Sequence, residues 1–236
     1  MIKIWQLAGL AWLLIGAISS TQAKDITLAT SKSIPPYIIE QNQSGIQLDI
    51  IRQAFDKMGH KVTTLIFTSN LRAERMLNKS AVDAIVNAPN NTVDNYLSDP
   101  VIYYQNVAIS LTKRQVKLDS VADLANYRFM AFQNAKKYLG AAFNEAAEQA
   151  KAYTEVANQQ AQIERLYRAQ VEVIVMDKQI YLYLSQQLAA NDAKQAVTFH
   201  PIFKPSPRLL GFHDKHLRDQ FNQGLKMLKR EHGIFK

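Results

Sequence analysis

Short apolar runs of strand period alternate with longer runs of helical period from residue 26 to residue 212, and this alternation restricts the chain to an α/β fold built largely on parallel sheet. Residues 26–30 alternate as a first strand, and Ile34-Pro35-Pro36-Tyr37 ends it because a proline nitrogen has no proton for a ladder. Residues 46–58 read as a helix with Ile50, Ile51, Ala54, Phe55 and Met58 on one stripe and Gly59 as the stop. A strand over 61–67, a short helix over 70–78, and strands over 82–86 and 104–112 follow. The second half repeats the plan. A strand over 129–132 leads to a helix with its stripe at Leu139, Ala142, Phe143, Ala146 and Ala147, then to a strand near Tyr153. A helix over 163–169, a strand over 171–176 and a helix holding Ile180, Leu184 and Leu188 complete it.

One local echo points to two halves of like topology. Glu74-Arg75-Met76-Leu77 precedes Val82-Asp83-Ala84-Ile85-Val86, and Glu164-Arg165-Leu166-Tyr167 precedes Val171-Glu172-Val173-Ile174-Val175. Each is a helix feeding a buried strand. After residue 197 the prolines at 201, 205 and 207 rule out helix and suit an extended crossover, with a last strand over 209–212. The final helix carries Leu217, Phe221, Leu225 and Leu228 and needs a surface to cover, which a return to the first half supplies.

The N-terminus sets the compartment. Lys3 precedes an uncharged run over residues 7–18, and Ser19-Ser20-Thr21-Gln22-Ala23 ends in small residues, the pattern of a secretory signal peptide with Ala23 as the last residue removed. The run is well short of the ~20 residues of a spanning helix. Without a cysteine the chain has no disulfide, thiol catalyst or lipoprotein attachment point, so the expected product is an unlipidated periplasmic protein. The net charge of +8 is scattered. Its densest patch, Lys226, Lys229 and Arg230, falls on the solvated face of the final helix, which argues against a nucleic-acid partner and leaves open a preference for anionic ligands or surfaces.

Histidines 60, 200, 213, 216 and 232 are too scattered to suggest a metal centre, and no nucleophile elbow or phosphate loop is present. No cofactor is expected, and no catalytic residue is assigned. Unpatterned acid–base residues can still make an enzyme, so an enzyme on the same scaffold stays open.

Pro35-Pro36-Tyr37, Gly45 with Asp49, Val82-Asp83-Ala84-Ile85 and Ser98-Asp99-Pro100 follow in an order that resembles the family 3 extracellular solute-binding proteins, the amino-acid-binding receptors of ABC transporters. The resemblance continues through residues 119–127, 171–177 and Phe221-Asn222, so it covers essentially the whole exported chain. It implies a type II periplasmic-binding fold, in which two α/β lobes joined by two crossings enclose a ligand cleft at the hinge. Residues 24–112 with 205–236 are then the first lobe and 113–204 the second, after a signal peptide over 1–23. The implied product is a monomer that captures a small polar molecule for an ABC permease. A membrane sensor as partner, or a cyclohexadienyl dehydratase-like enzyme, is the alternative.

Seven residues are expected at the ligand. Tyr37 follows the first strand, where it can stack on a planar or cationic group or simply plug the lobe surface. Arg72 opens the helix after the second strand, within reach of a carboxylate, or else is a solvated helix arginine. Asn87, Asn90 and Thr92 belong to the loop after the third strand of the first half. In the proteins resembled, an arginine in that loop clamps the ligand's α-carboxylate. Here the matching position is Asn95 or Asn91, and a neutral amide supplies neither the charge nor the fork, so a standard α-amino acid is not the expected ligand. Lys136 lies at a helix start, where it can add charge to anion-favouring amides or be a solvated surface lysine. Asp177 ends a buried strand, placed either to hold a ligand amine or to cap the next helix.

Overall fold

The computed structural model describes residues 23–31, 33–89, 95–188 and 195–232. The expected signal segment up to Gln22 lies outside the described residues, as do Asn90, Asn91 and Thr92. No helix among the described residues is long and apolar enough to cross a membrane.

The first half contains β1 (Asp25–Thr30), α1 (Ile46–Asp56), β2 (Lys61–Phe67), α2 (Asn70–Asn78), β3 (Ala84–Val86), β4 (Tyr96–Leu97) and β5 (Ile102–Tyr104). The second holds β6 (Asn106–Leu111), β7 (Arg128–Phe132), α3 (Ala135–Tyr138), α4 (Ala141–Gln149), β8 (Ala152–Val156), α5 (Gln159–Tyr167), β9 (Val173–Asp177), α6 (Lys178–Gln187) and β10 (Val197–His200). The chain ends with β11 (Ser206–Arg208), β12 (Leu210–Phe212) and α7 (Lys215–His232).

These strands form two five-stranded sheets, β2-β1-β3-β12-β4 and β10-β6-β9-β7-β8, and a two-stranded ribbon of β5 with β11. The sheets have one plan. In the first, β1 pairs in parallel with β2 and β3, and β3 then pairs antiparallel with β12. In the second, β7 pairs in parallel with β8 and β9, and β9 pairs antiparallel with β6. The echoed helix-to-strand segments are α2–β3 and α5–β9, which occupy equivalent positions in the two sheets. Each sheet borrows its antiparallel strand from just beyond a crossing, β6 after β5 and β12 after β11.

The expectation that residues 104–112 form one strand of the first lobe is corrected here. Tyr104 ends the ribbon strand β5, and β6 belongs to the second sheet, so the chain passes from ribbon to sheet at Gln105. The Gln105 amide is 2.8 Å from Asp177 Oδ2, bonded to a distant side chain where a strand would bond to backbone.

Burial explains the rest. α1 places Leu48, Ile51, Ala54 and Phe55 against the first sheet. α7 returns to that side, where Phe221 lies 4.8 Å from Phe55 and 5.6 Å from Phe212 between ring centroids. α2 covers the opposite face of the first sheet with Ala73 and Leu77. Phe129, Phe143, Tyr153 and Phe203 pack together on one face of the second sheet. The largest apolar cluster contains residues of both sheets, among them Ile26, Tyr37, Tyr104 and Met176, so the halves touch beside the ribbon.

Candidate functional site

The site begins with a constraint on the loop after β1. Gly45 has φ 126°, and a Cβ there would sit 2.5 Å from the Tyr37 carbonyl oxygen, so only glycine lets the start of α1 press on this loop. The first α1 amides then hold it, Ile46 donating to Pro36 O at 3.0 Å and Gln47 to Tyr37 O at 3.1 Å. Tyr37 is thereby turned inward, 1% exposed.

Its hydroxyl donates to Asp177 Oδ1 at 2.8 Å, a bond from the loop after the first strand of one sheet to the end of β9 in the other. Its ring stacks on Tyr104 of the ribbon, with centroids 4.0 Å apart and planes 19° apart. Burial and the neighbouring Asp177 carboxylate push the Tyr37 phenol far up, and burial does the same at Tyr104. Both are hydrogen-bonding phenols and not acids at any working pH.

Asp177 is 4% exposed and accepts four hydrogen bonds. Gln179 and Ile180 amides donate to Oδ1 at 2.8 and 3.1 Å as the N-cap of α6, the Tyr37 hydroxyl donates to the same oxygen, and the Gln105 amide donates to Oδ2. Burial raises the carboxyl above its usual range, against the pull of those donors. Since all four groups donate, the ionised carboxylate is the form that the geometry suits.

Two further polar residues extend this network. The Tyr104 hydroxyl donates to Gln47 Oε1 at 2.9 Å, and Gln47 Nε2 donates to Asn87 Oδ1 at 2.8 Å. Gln47 is fully buried, and Asn87 follows β3 in the left-handed region at φ 58°. Tyr37, Asn87 and Asp177, expected separately, are therefore linked through Gln47 and Tyr104. Arg208 of β11 adds a charge, its guanidinium carbon 4.3 Å from the Tyr104 ring centroid. Gln47, Tyr104 and Arg208 were not anticipated from the sequence.

Arg72 and Lys136 stand outside the network. Arg72 lies in the first turn of α2, where its amide is capped by Ser69 Oγ at 3.4 Å, and its side chain is exposed and bonds to no described residue. Lys136 is engaged within the second half, 3.7 Å from Glu148 and 5.6 Å from the Tyr153 ring centroid. The amides beside it are also occupied. Glu155 accepts from Asn134 N at 2.7 Å, Lys136 N at 3.1 Å and the Tyr153 hydroxyl at 2.7 Å, so the chain's own carboxylate fills the place expected to favour an external anion.

Burial works against the Glu155 charge, yet the Tyr153 hydroxyl, those two amides and the Lys136 ammonium together hold its carboxyl below the usual 4.5. A depressed folded value stabilises the fold above the unfolded pKa, and that contribution is lost as pH falls through the folded value. Glu155→Gln is expected to cost about 1 kcal/mol at neutral pH and to lose less stability than the parent on acidification below pH ~4.5. Urea unfolding at both pH values checks this. Equal acid sensitivity in the two proteins would contradict it.

Ser110 Oγ and His200 Nε2 are 2.9 Å apart in the second sheet, the kind of pair that a nucleophile needs. Both are buried, burial pushes the imidazole down, and no carboxylate among the described residues bonds to the ring. Ser110 also lies four residues along β6 from Asn106, the residue paired with Asp177, roughly 13 Å away at strand spacing. The pair is a core contact away from the network. Among the described residues no group of three or more acidic, histidine or cysteine side chains is placed to hold a metal ion.

No protein-family model matches the chain, and no curated protein matches it. Solved structures do. The chain is similar to the GluR0 ligand-binding core in complex with L-glutamate at 16% identity and a TM-score of 0.66, covering 89% of this chain and 94% of that one. It is similar to a polar amino acid ABC uptake transporter substrate-binding protein from Streptococcus thermophilus at 19% identity and a TM-score of 0.66, covering 90% and 83%. An ancestral amino-acid-binding protein, a precursor of cyclohexadienyl dehydratase, matches at 15% identity and a TM-score of 0.61 over 92% of each chain. The fold is therefore the type II periplasmic-binding fold, two α/β lobes with a cleft at the hinge, as the sequence resemblance implies.

Proposed function

We propose that this chain is a periplasmic solute-binding protein that closes two lobes on a small polar molecule and presents the closed form to an ABC permease, or else to a membrane sensor. In this reading residues 24–104 and 205–232 form the first lobe, residues 106–203 the second, and the β5–β11 ribbon the hinge. The observation that carries it is the Tyr37–Asp177 hydrogen bond, which ties the strand ends of two like sheets across that hinge. In open α/β sheets those ends are where ligands bind. The kinship of fold with proteins named for binding amino acids and for ABC uptake supports the same reading. A ligand that touches both lobes favours the closed state by its differential affinity. Tyr37, Asn87 and Asp177 would shape the closed site, with Asn90 and Thr92 beside Asn87 in sequence, and Arg72 and Lys136 would be its outer cations.

Thermal-shift screening tests the reading, since a ligand at ~100 times its Kd adds ~2.7 kcal/mol of stability. A compound that stabilises the protein should also reduce its radius of gyration in small-angle scattering, and an unchanged radius with a saturating ligand would count against closure. Strong shifts from several common α-amino acids would overturn the expectation that the ligand lies outside that class.

An enzyme on this scaffold is the second reading. The similarity to a dehydratase precursor favours it, as does a buried carboxyl pushed above its usual range at the hinge. Turnover of prephenate or arogenate by the purified protein would move the function to that class.

A further inference from the structure

We propose that Arg208 is the anion-binding residue of the interlobe site, and that the ligand presents a carboxylate to its guanidinium. The proposal rests on the binding-protein reading above and deepens it by naming the ligand's class and the residue that selects it.

Position comes first. Arg208 pairs with Ile102 across the hinge ribbon, so its side chain leaves on the face that also carries Tyr104, two residues on. The next residue, Leu209, accepts the Ala88 amide at 3.0 Å, and Leu210 pairs with Val86. Arg208 therefore lies where the hinge meets the end of β3 and the residues following Asn87, against the Tyr104 side of the network already described.

Its chemistry is unfinished. Arg128 and Arg218 each contact an acid, at 3.5 Å to Glu172 and 2.7 Å to Asp219. Among the described residues the Arg208 guanidinium forms no ion pair, and its buried Nε has no hydrogen-bond partner. Asp177, the carboxylate of this network, already takes four other donors. An arginine side chain is a charged donor, so a buried Nε with no acceptor among the described residues is a costly arrangement unless something arrives to accept. Stacking on Tyr104 fixes the plane of the fork, and Tyr104 is itself held by its stack on Tyr37 and its bond to Gln47. A fork with a fixed plane suits a planar carboxylate that accepts two parallel hydrogen bonds. The second lobe does not compete for the anion, because Glu155 already occupies the amides of Asn134 and Lys136.

The test compares the full exported chain with Arg208→Gln and Arg208→Lys by thermal shift and titration calorimetry. The probes are acetate, succinate, citrate, benzoate and L-glutamate, each set against its neutral amide counterpart. At least one carboxylate is expected to bind the parent protein while its amide does not. Arg208→Gln should bind that carboxylate at least ~30-fold more weakly, with partial recovery in Arg208→Lys, which keeps the charge without the fork. Should Arg208→Gln fail to fold, a parent-like affinity in Arg208→Lys overturns the fork. Equal carboxylate affinity in the parent and in Arg208→Gln overturns the assignment and leaves the binding-protein reading intact, as does a parent protein that binds only the amides. No binding by any probe, with scattering profiles unchanged throughout, overturns both.

Discussion

Replacing Gly224 with alanine is expected to lower the unfolding free energy by about 3 kcal/mol, the upper end of the range for overpacking. Gly224 lies in α7 where that helix crosses α1, and a Cβ there would sit 2.0 Å from the Ala54 carbonyl oxygen and 3.0 Å from its carbon. The obstacle is helix backbone, which cannot turn aside as a side chain can. α7 would have to move off α1, loosening the contact of Phe221 with Phe55 and the 2.6 Å bridge between Lys57 and Glu231. For a chain of this size the melting temperature should fall by roughly 6–12 °C. Gly59→Ala is the control: its φ is +76° and a Cβ there meets nothing within 4 Å, so it carries only the left-handed penalty of about 1–2 kcal/mol. Equal melting points for the two variants would show that α7 does not rest on α1 as described.

That contact also shows what the sequence makes legible. The stripe Leu217, Phe221, Leu225 and Leu228 demands a partner surface, and all four are buried. The glycine that permits the close approach looks, in sequence, like a defect in the helix. α2 runs over the expected residues because Ser69 caps it, whereas the helix expected to include Leu139 is split. Gly140 at φ 86° turns the chain between α3 and α4, although the apolar spacing runs through it undisturbed. The echo between the halves is a better guide, since helix-to-strand units buried alike in two sheets keep alike patterns. The break between β5 and β6 is invisible in sequence because nothing at Tyr104-Gln105-Asn106 breaks strand period. A side chain 72 residues away takes the Gln105 amide, and pairing then changes sheet.

The site was legible in proportion to how local its causes are. Asp177 at a strand end before a helix announces a cap, and Tyr37 after paired prolines announces a loop aromatic. Gln47 could have been found, because it shares the helical face of Ile51 and Ala54, and a polar residue on an apolar stripe needs buried partners. Arg208 offers no such signal. In sequence it is one more cation among 28 lysines and arginines in a proline-rich stretch, and only the pairing of β11 with β5 brings it over Tyr104. Lys136 illustrates the reverse case. The helix-start amides beside it are present, but Glu155 reaches them from β8, a contact that sequence spacing does not reveal.

Asp177→Ala is expected to destabilise the protein by about 4 kcal/mol. Loss of the α6 cap costs about 1 kcal/mol, and leaving the part-buried Gln105 amide and the buried Tyr37 hydroxyl without acceptors adds about 1–3 kcal/mol each. Tyr37→Phe removes only the hydroxyl and leaves the cap, the Gln105 bond and the ring stack on Tyr104 in place, so it should cost about 1 kcal/mol. In the Asp177→Ala background the same tyrosine change deletes a donor that has already lost its acceptor, and it should be neutral or stabilising. The double-mutant cycle then returns a coupling of at least ~1 kcal/mol between residues 140 positions apart. Denaturant unfolding of the four proteins measures it. Because one partner follows β1 and the other ends β9, that coupling is this one bond's share of the contact between the two sheets. Additive effects would mean that the bond contributes nothing to holding the two sheets together, which would leave that contact to the apolar cluster they share.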